Sequence, residues 1–234
     1  MDFKILVLKN TSTLGIFKIY PIYSGSGITI GNSLRRILLS SLYGYSVSYF
    51  KIKGVLHEYT YIKGIIEDIP ELILNLKQIR FKLKKGINIT KEKINIKINH
   101  KKKIIYAGLI ENFTNKFEII NKKLIICNKD ESKIFRIKLI IDKGKGYIPS
   151  EKKKPYKHYI AIDSIYTPIK NVSFKIKKNS KYEYNKEILN LNIVTDGTIS
   201  PLESLIKASK NLIKIFENFT LNSKYYKYKK KYLK

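Results

Sequence analysis

Two strongly amphipathic helical segments lie near opposite ends of the sequence, with a long strand-like stretch between them, and few folds accommodate that order. In the first segment, Asn32-Ser33-Leu34-Arg35-Arg36-Ile37-Leu38-Leu39-Ser40-Ser41-Leu42, the residues Leu34, Ile37, Leu38 and Leu42 recur at i, i+3, i+4 and i+8 and share one helical face. Arg35, Arg36 and Leu39 lie off that face, and Gly44 reads as the helix stop. The second segment opens on Ser200-Pro201-Leu202-Glu203, a capping box with proline at the first helical position. It predicts a helix to about Phe219, with Leu202, Leu205, Ile206, Leu212, Ile213, Phe216 and Phe219 in one stripe and Ser209 filling a gap. Residues 222–234 are rich in Lys and Tyr without helical period and predict a frayed, solvated tail.

Between these helices the period is mostly two. Ile5 to Leu8 and Thr11 to Ile22 read as strands, the latter with Ile16, Ile19 and Ile22 toward its apolar side. Gly25 to Gly31 reads as a glycine-rich turn. Asp68 to Ile79 predicts a short helix, capped by Asp68 with Glu71 three residues on. From Arg80 to Ile141 the pattern is strand-like, with Ile94, Ile96 and Ile98, and again Phe135, Ile137 and Leu139, alternating with polar residues. Lys143 to Tyr147 and Lys152 to Lys157 read as loops, and Tyr159 to Ile176 as strand interrupted at Pro168. The class is α+β, with two amphipathic helices and a strand-rich insert.

At 234 residues and 44% hydrophobic content, the chain has material for one large core or two smaller ones. Lys and Arg number 47 against 18 Asp and Glu, a formal charge of +29 that favours anionic partners. Lysine is spread along the whole chain together with Ile, Asn and Tyr. AAA, AAT and ATA codons give that mixture, so an AT-rich genome accounts for it as readily as nucleic-acid contact does. A single cysteine, Cys127, leaves no internal disulfide and no cysteine-based zinc site. The N-terminal apolar run is too short for a secretory signal, and no stretch approaches the ~18 apolar residues of a membrane span.

Motifs that carry chemistry are absent. The Gly25 to Gly31 turn is one residue too long for a dinucleotide fingerprint, and Asn32 stands where a phosphate-binding loop needs Lys followed by Ser or Thr. His57, His100 and His158 have no metal-ligand spacing, and Glu58 beside His57 has no accompanying nucleophile. The reading is no catalytic residue, no metal, no cofactor and no small-molecule substrate. Glu151 to Lys157 and the Lys-Tyr tail offer charge and stacking faces to phosphates. A free-standing basic nucleic-acid-binding protein is therefore the alternative function.

The block Gly27-Ile28-Thr29-Ile30-Gly31-Asn32-Ser33-Leu34-Arg35-Arg36-Ile37-Leu38-Leu39-Ser40-Ser41 closely resembles the signature of alpha subunits of bacterial-type RNA polymerase. Further blocks follow in the family's order. They are Gly54 to Tyr59, Glu67-Asp68-Ile69 with Leu72 to Lys77, Lys143 to Pro149, Ile162 to Pro168, and Thr195 to Pro201. The resemblance runs from about Thr11 to Phe219.

The resemblance implies a dimerisation subdomain built from both ends of the chain, about 1–43 with 169–234, and an inserted strand-rich subdomain, about 44–168, that contacts the large subunits. It implies a homodimer, with Leu34, Ile37, Leu38, Leu42, Leu205, Leu212 and Phe216 at the dimer interface. One copy would bind the beta subunit and the other beta-prime, where catalysis resides, so the chain would be a non-catalytic scaffold within a nucleotidyltransferase. Arg35 and Arg36 are implied to meet a large subunit, with His57, Glu58, Gly144, Gly146 and Tyr147 on the same face. DNA would be met only through the assembled complex, and no membrane is involved. Many relatives carry a further C-terminal domain that binds promoter DNA and activators; this sequence stops before it, so that function is expected to be absent. A loop that is longer and acidic in many relatives is short and basic before Ile162, and Tyr43 replaces a usual proline. Residues 86–131 match the family poorly, and the missing domain, the AT-driven composition and this drifted middle together suggest a plastid-encoded subunit, or else one in the cytoplasm of a bacterium with a reduced genome.

Overall fold

The computed structural model describes residues 3–55, 57–99, 103–178 and 185–229, with side chains through residue 219. In chain order the elements begin β1 (Lys4–Asn10), β2 (Leu14–Tyr23), α1 (Ser26–Ser40), β3 (Tyr43–Ile52), α2 (Ile69–Gln78), β4 (Phe81–Leu83) and β5 (Lys91–Ile98). There follow β6 (Ile104–Tyr106), β7 (Phe117–Ile119), β8 (Ile125–Asn128), β9 (Phe135–Lys145), β10 (Tyr147–Ile148), β11 (Ile160–Ala161) and β12 (Ser164–Ile165). The chain closes with β13 (Ile169–Lys178), β14 (Lys186–Thr195) and α3 (Pro201–Lys229). The fold is α+β. The chain divides into two compact units, Met1–Leu42 with Ile169–Lys234, and Tyr43–Pro168.

In the first unit four antiparallel strands run in the order β1-β2-β14-β13, and α1 and α3 pack on this sheet and on each other. Phe17, Val172, Leu191 and Ile193 from the strands meet Leu34, Leu38, Leu42, Leu205 and Ala208 in one core. This corrects the interface reading: Leu34, Leu38, Leu42 and Leu205 are sealed inside their own unit rather than turned to a second copy. A four-stranded sheet with an apolar face needs cover, and both helices supply it. Ile37 and Leu212 are half-buried at the edge of that core.

The glycine segment is also corrected. Only Gly25, with φ of 86°, lies outside the helix; Gly27 and Gly31 are inside α1 and buried. A Cβ on Gly31 would stand 2.7 Å from the Phe174 ring, so the helix approaches β13 more closely than a side chain permits. Glycine inside a helix costs about 1 kcal/mol, which close packing offsets here. The helix ends at Ser40, before Gly44, which belongs to β3. The C-terminal stretch is corrected too: α3 continues to Lys229, past Phe219 and through most of the expected tail, while 230–234 lie outside the described residues.

In the second unit a six-stranded antiparallel sheet runs β5-β9-β3-β4-β7 with β11 also on β3. Two short ribbons, β10-β12 and β6-β8, and the helix α2 complete it. Tyr43, expected in the first unit, opens its longest ribbon. Asp68 caps α2 by accepting from the Glu71 N–H at 2.8 Å. Glu67 is buried and takes the Asn128 backbone N–H (2.6 Å) and side-chain amide (2.7 Å), tying the entry of α2 to β8. Ile94, Ile96 and Ile98, with Phe135, Ile137 and Leu139, fill the core against Phe50, Phe81, Phe117, Leu72 and Leu76. Lys143 to Lys145, read as loop, complete β9.

Candidate partner-binding surfaces

The presentation of Arg35 and Arg36 begins with a carboxylate far away in sequence. Glu187, on β14, accepts from the backbone N–H groups of Gly25 (3.0 Å) and Gly27 (3.2 Å) and from the Ser24 hydroxyl (3.3 Å). It closes the first turn of α1, where no side chain of the helix's own cap does so. A Cβ on Gly27 would come 2.7 Å from the same carboxylate, hence glycine there. The Gly25 N–H, followed by Gly27 and Ser24, holds the Glu187 pKa below its ordinary value. Beyond this anchor, Arg35 and Arg36 are exposed on the side of α1 away from Leu34 and Leu38. Because the folded pKa is depressed, the stabilisation is present above the unfolded glutamate pKa, ~4.3, and fades as pH falls through the folded value. Thermal melts of Glu187→Gln should therefore lie below wild type at neutral pH, and the two should converge on acidification toward pH ~3.

The second helix carries two apolar faces, not one. Leu205, Ala208 and Leu212 face the core, whereas Ile206, Ile213 and Phe216 occupy a neighbouring row spaced by seven and three and stay open. From Ile213 to Phe219 every side chain is exposed, including Phe216 at 60% and Phe219 at 72%. β1, at the sheet edge, is exposed along its whole length. An apolar helix end and a free strand edge are each surface that a solitary soluble unit rarely leaves open.

In the second unit Gly44 and Gly144 oppose one another on β3 and β9. A Cβ on Gly44 would collide with the Tyr166 carbonyl oxygen (1.9 Å), and one on Gly144 with the Tyr166 ring (2.6 Å). Tyr166 donates to Asp142 at 2.6 Å, and burial together with this carboxylate raises its pKa. Gly146 adopts φ of 62° and its carbonyl accepts from the Tyr166 and Thr167 N–H groups. Gly144 and Gly146 thus shape the end of β9 and the turn into β10, while Lys143, Lys145 and Tyr147 form the exposed surface there. Asp163 fixes Tyr147: it accepts from the Tyr147 hydroxyl, the Lys77 ammonium and the Ser150 N–H, each at 2.8 Å. Lys77 first, then Ser150, hold the Asp163 carboxyl well below the usual carboxylate range.

His57 and Glu58 are exposed in the loop after β3, with the His57 ring 3.3 Å from the Thr60 hydroxyl. This loop leaves one end of the β3-β9 ribbon, and Gly144 to Tyr147 leave the other; the ten residues of β3 separate them by about 30 Å of strand. They do not form one cluster. The sequence reading missed the most exposed residues near His57, namely Tyr59 (84%), Tyr61 and Ile66. Large side chains without apolar period were the signal available.

Neither unit shows a reaction centre among the described residues. Cys127 is fully buried and burial pushes its thiol up to about 12, which removes it as a nucleophile at neutral pH. Among the described residues no group of three or more His, Cys, Asp or Glu stands ready to hold a metal, and no helix is long and apolar enough to cross a membrane. His100 lies outside the described residues.

The family model described as the RNA polymerase Rpb3/RpoA insert domain matches residues 50–167. The chain is 44% identical over 226 residues to the DNA-directed RNA polymerase subunit alpha of Cytophaga hutchinsonii, covering 94% of this chain and 67% of the relative. Its counterpart in Phocaeicola vulgatus is 41% identical over 223 residues (93% and 66%), and that in Chlorobium luteolum 36% over 222 residues (90% and 65%). The chain spans about two thirds of the length of these relatives. They are polymerase subunits, which sets aside a free-standing nucleic-acid-binding protein. On its motifs, its fold and these matches, the chain belongs to the family of alpha subunits of DNA-directed RNA polymerase.

Proposed function

We propose that this alpha subunit is a non-catalytic assembly scaffold: two copies pair, and the pair holds the beta and beta-prime subunits that carry out RNA synthesis. The observation that carries this reading is the open apolar row of α3, Ile206, Ile213 and Phe216, continued by Phe219. A second copy of the same helix covers it with matched chemistry. Ile37 and Leu212 lie at the rim of this interface, while the buried leucines act only by holding the helices in place. The Ile206, Ile213, Phe216 and Phe219 side chains of two copies, each roughly half-exposed or more, return on the order of 10 kcal/mol gross when buried. That is the size of the association cost, ~4–15 kcal/mol, so pairing depends on a few large residues.

Arg35 and Arg36 are the contact with a large subunit, since guanidinium groups on a rigid helix suit carboxylates on a protein surface. Tyr147 with its neighbouring lysines, and His57 and Glu58 with the exposed Tyr59 and Tyr61, are two further contacts at separate places on the insert. Reconstitution of the chain with both large subunits tests this. Arg35→Ala with Arg36→Ala should leave pairing unchanged and lower capture of a large subunit by at least about tenfold, given ~1.5–3 kcal/mol for a charge-assisted hydrogen bond. Unchanged capture would remove these arginines from the contact. The Lys-, Asn- and Ile-rich composition fits a plastid genome or an AT-rich bacterial one, and the bacterial relatives favour the bacterial cytoplasm as the place of action.

A further inference from the structure

The outer face of the central sheet in the insert unit carries cations where a sheet ordinarily alternates or neutralises charge. Lys51 of β3 stands directly opposite Lys138 of β9, and Arg136 of β9 directly opposite Lys97 of β5. Lys53 follows the end of β3 on the same side, and Asn95 completes the row beside Lys138. These six residues line a groove of about 490 Å³ whose lining contains no carboxylate and includes His158. None of the five cations is ion-paired with a carboxylate among the described residues. Elsewhere in the unit lysines do find acids, as Lys82 with Glu118 and Lys116 with Glu92. Like charges directly opposite across strands destabilise a sheet, so two such pairs side by side weigh against the fold unless an anion relieves them.

One end of this face is bordered by aromatic rings. Tyr156 and Tyr159 stack edge to face at 5.3 Å, and the ammonium of Lys51 lies 5.9 Å from the Tyr159 ring centre. Lys91 and Lys93 sit over Tyr156 at 4.6 and 5.1 Å. Lys153 holds this loop by donating to the Ile162 carbonyl and the Ser164 hydroxyl, and burial lowers its pKa to about 8. Along β5 and β9, side chains on one face repeat every ~6.6 Å, a stride a flexible phosphodiester chain can follow. β9, at the centre of this face, is paired on both sides, and the cations stand on the face of the sheet rather than along the free edge of β5 where a peptide would add a strand. A polyphosphate needs only the ammonium and guanidinium donors, and unpaired bases find the tyrosine rings.

We propose that the outer face of β3, β9 and β5 binds single-stranded nucleic acid through its phosphates, without reading sequence. This stands apart from the assembly reading, because it concerns the chain alone and none of the residues placed at a subunit contact.

The test is fluorescence anisotropy of the full chain with a labelled oligodeoxythymidine of about 20 nucleotides across a salt series. Lys97→Glu, Arg136→Glu and Lys138→Glu together remove three phosphate contacts. They should weaken binding by on the order of 100-fold and flatten the salt dependence by about two units of log–log slope. A control of equal charge change, Lys170→Glu, Lys175→Glu and Lys177→Glu on exposed positions of β13, should cost less than about a tenth of that loss. The milder Lys97→Gln, Arg136→Gln and Lys138→Gln, which removes the three cations without adding negative charge, should lose affinity in the same direction and guards against misfolding of the reversed variant. Equal losses from the two reversed triples would overturn the proposal, since binding would then follow net charge alone. Polyglutamate of matched charge binding as tightly, with the same sensitivity to the groove variants, would overturn it in favour of an acidic polypeptide.

Discussion

A chain carrying Phe216→Asp with Phe219→Asp should sediment as a folded monomer at micromolar concentrations where, on the proposed pairing, the unaltered chain should sediment as a dimer. Both phenylalanines are mostly exposed within their own unit, so the aspartates remain solvated there and cost that fold little. In a paired helix end they lose their contacts and bring carboxylates out of water without partners. Each lost phenylalanine removes about 1–2 kcal/mol of burial and each unpaired carboxylate adds a penalty of at least ~1–3 kcal/mol. Two changes per copy therefore shift the dissociation constant by more than about a thousandfold. Circular dichroism should show helix and strand retained. A double variant that still sediments as a dimer would place the pairing surface elsewhere.

Leu38→Asp has a different and equally large outcome: the first unit fails to fold. Leu38 has no exposed surface and sits among residues from the sheet and from α3. Even Leu→Ala at such a site costs ~2–5 kcal/mol, and a buried unpaired carboxylate costs more, against a total stability of ~5–15 kcal/mol. Expression of this variant should give aggregate, or a product whose melting transition retains only the insert unit. A well-folded monomer would mean that the Leu34 face of α1 is open after all and belongs to an intermolecular contact.

The contrast between these two variants shows where sequence reasoning stopped. Period and caps were legible: the alternations at Ile94 to Ile98 and Phe135 to Leu139, the Asp68 cap and the Pro201 start lie where local rules put them. Periodicity marks a face as apolar without saying what covers it. The stripe read along α3 merged two adjacent rows, and only the packing beneath separates the sealed Leu205 and Ala208, with half-buried Leu212, from the open Ile206, Ile213 and Phe216. The start of α1 was hidden for a related reason. Its cap, Glu187, lies 162 residues from Gly25, and two glycines that suggest a turn locally are what lets the helix settle onto the sheet. Likewise, the opposition of Lys51 to Lys138 and of Arg136 to Lys97 exists only once strand register is known. Arg35 and Arg36 were found from a motif, and the structure adds why they can be presented rigidly: the helix that bears them is pinned at its first turn and packed along its length.

Pairing through α3 is tested most directly by co-expressing a tagged and an untagged copy of the chain with both large subunits and purifying on the tag. The untagged copy should elute with the tagged one, together with both large subunits, and should be lost when both copies carry Phe216→Asp and Phe219→Asp. Recovery of the large subunits with the tagged copy alone would contradict a paired scaffold.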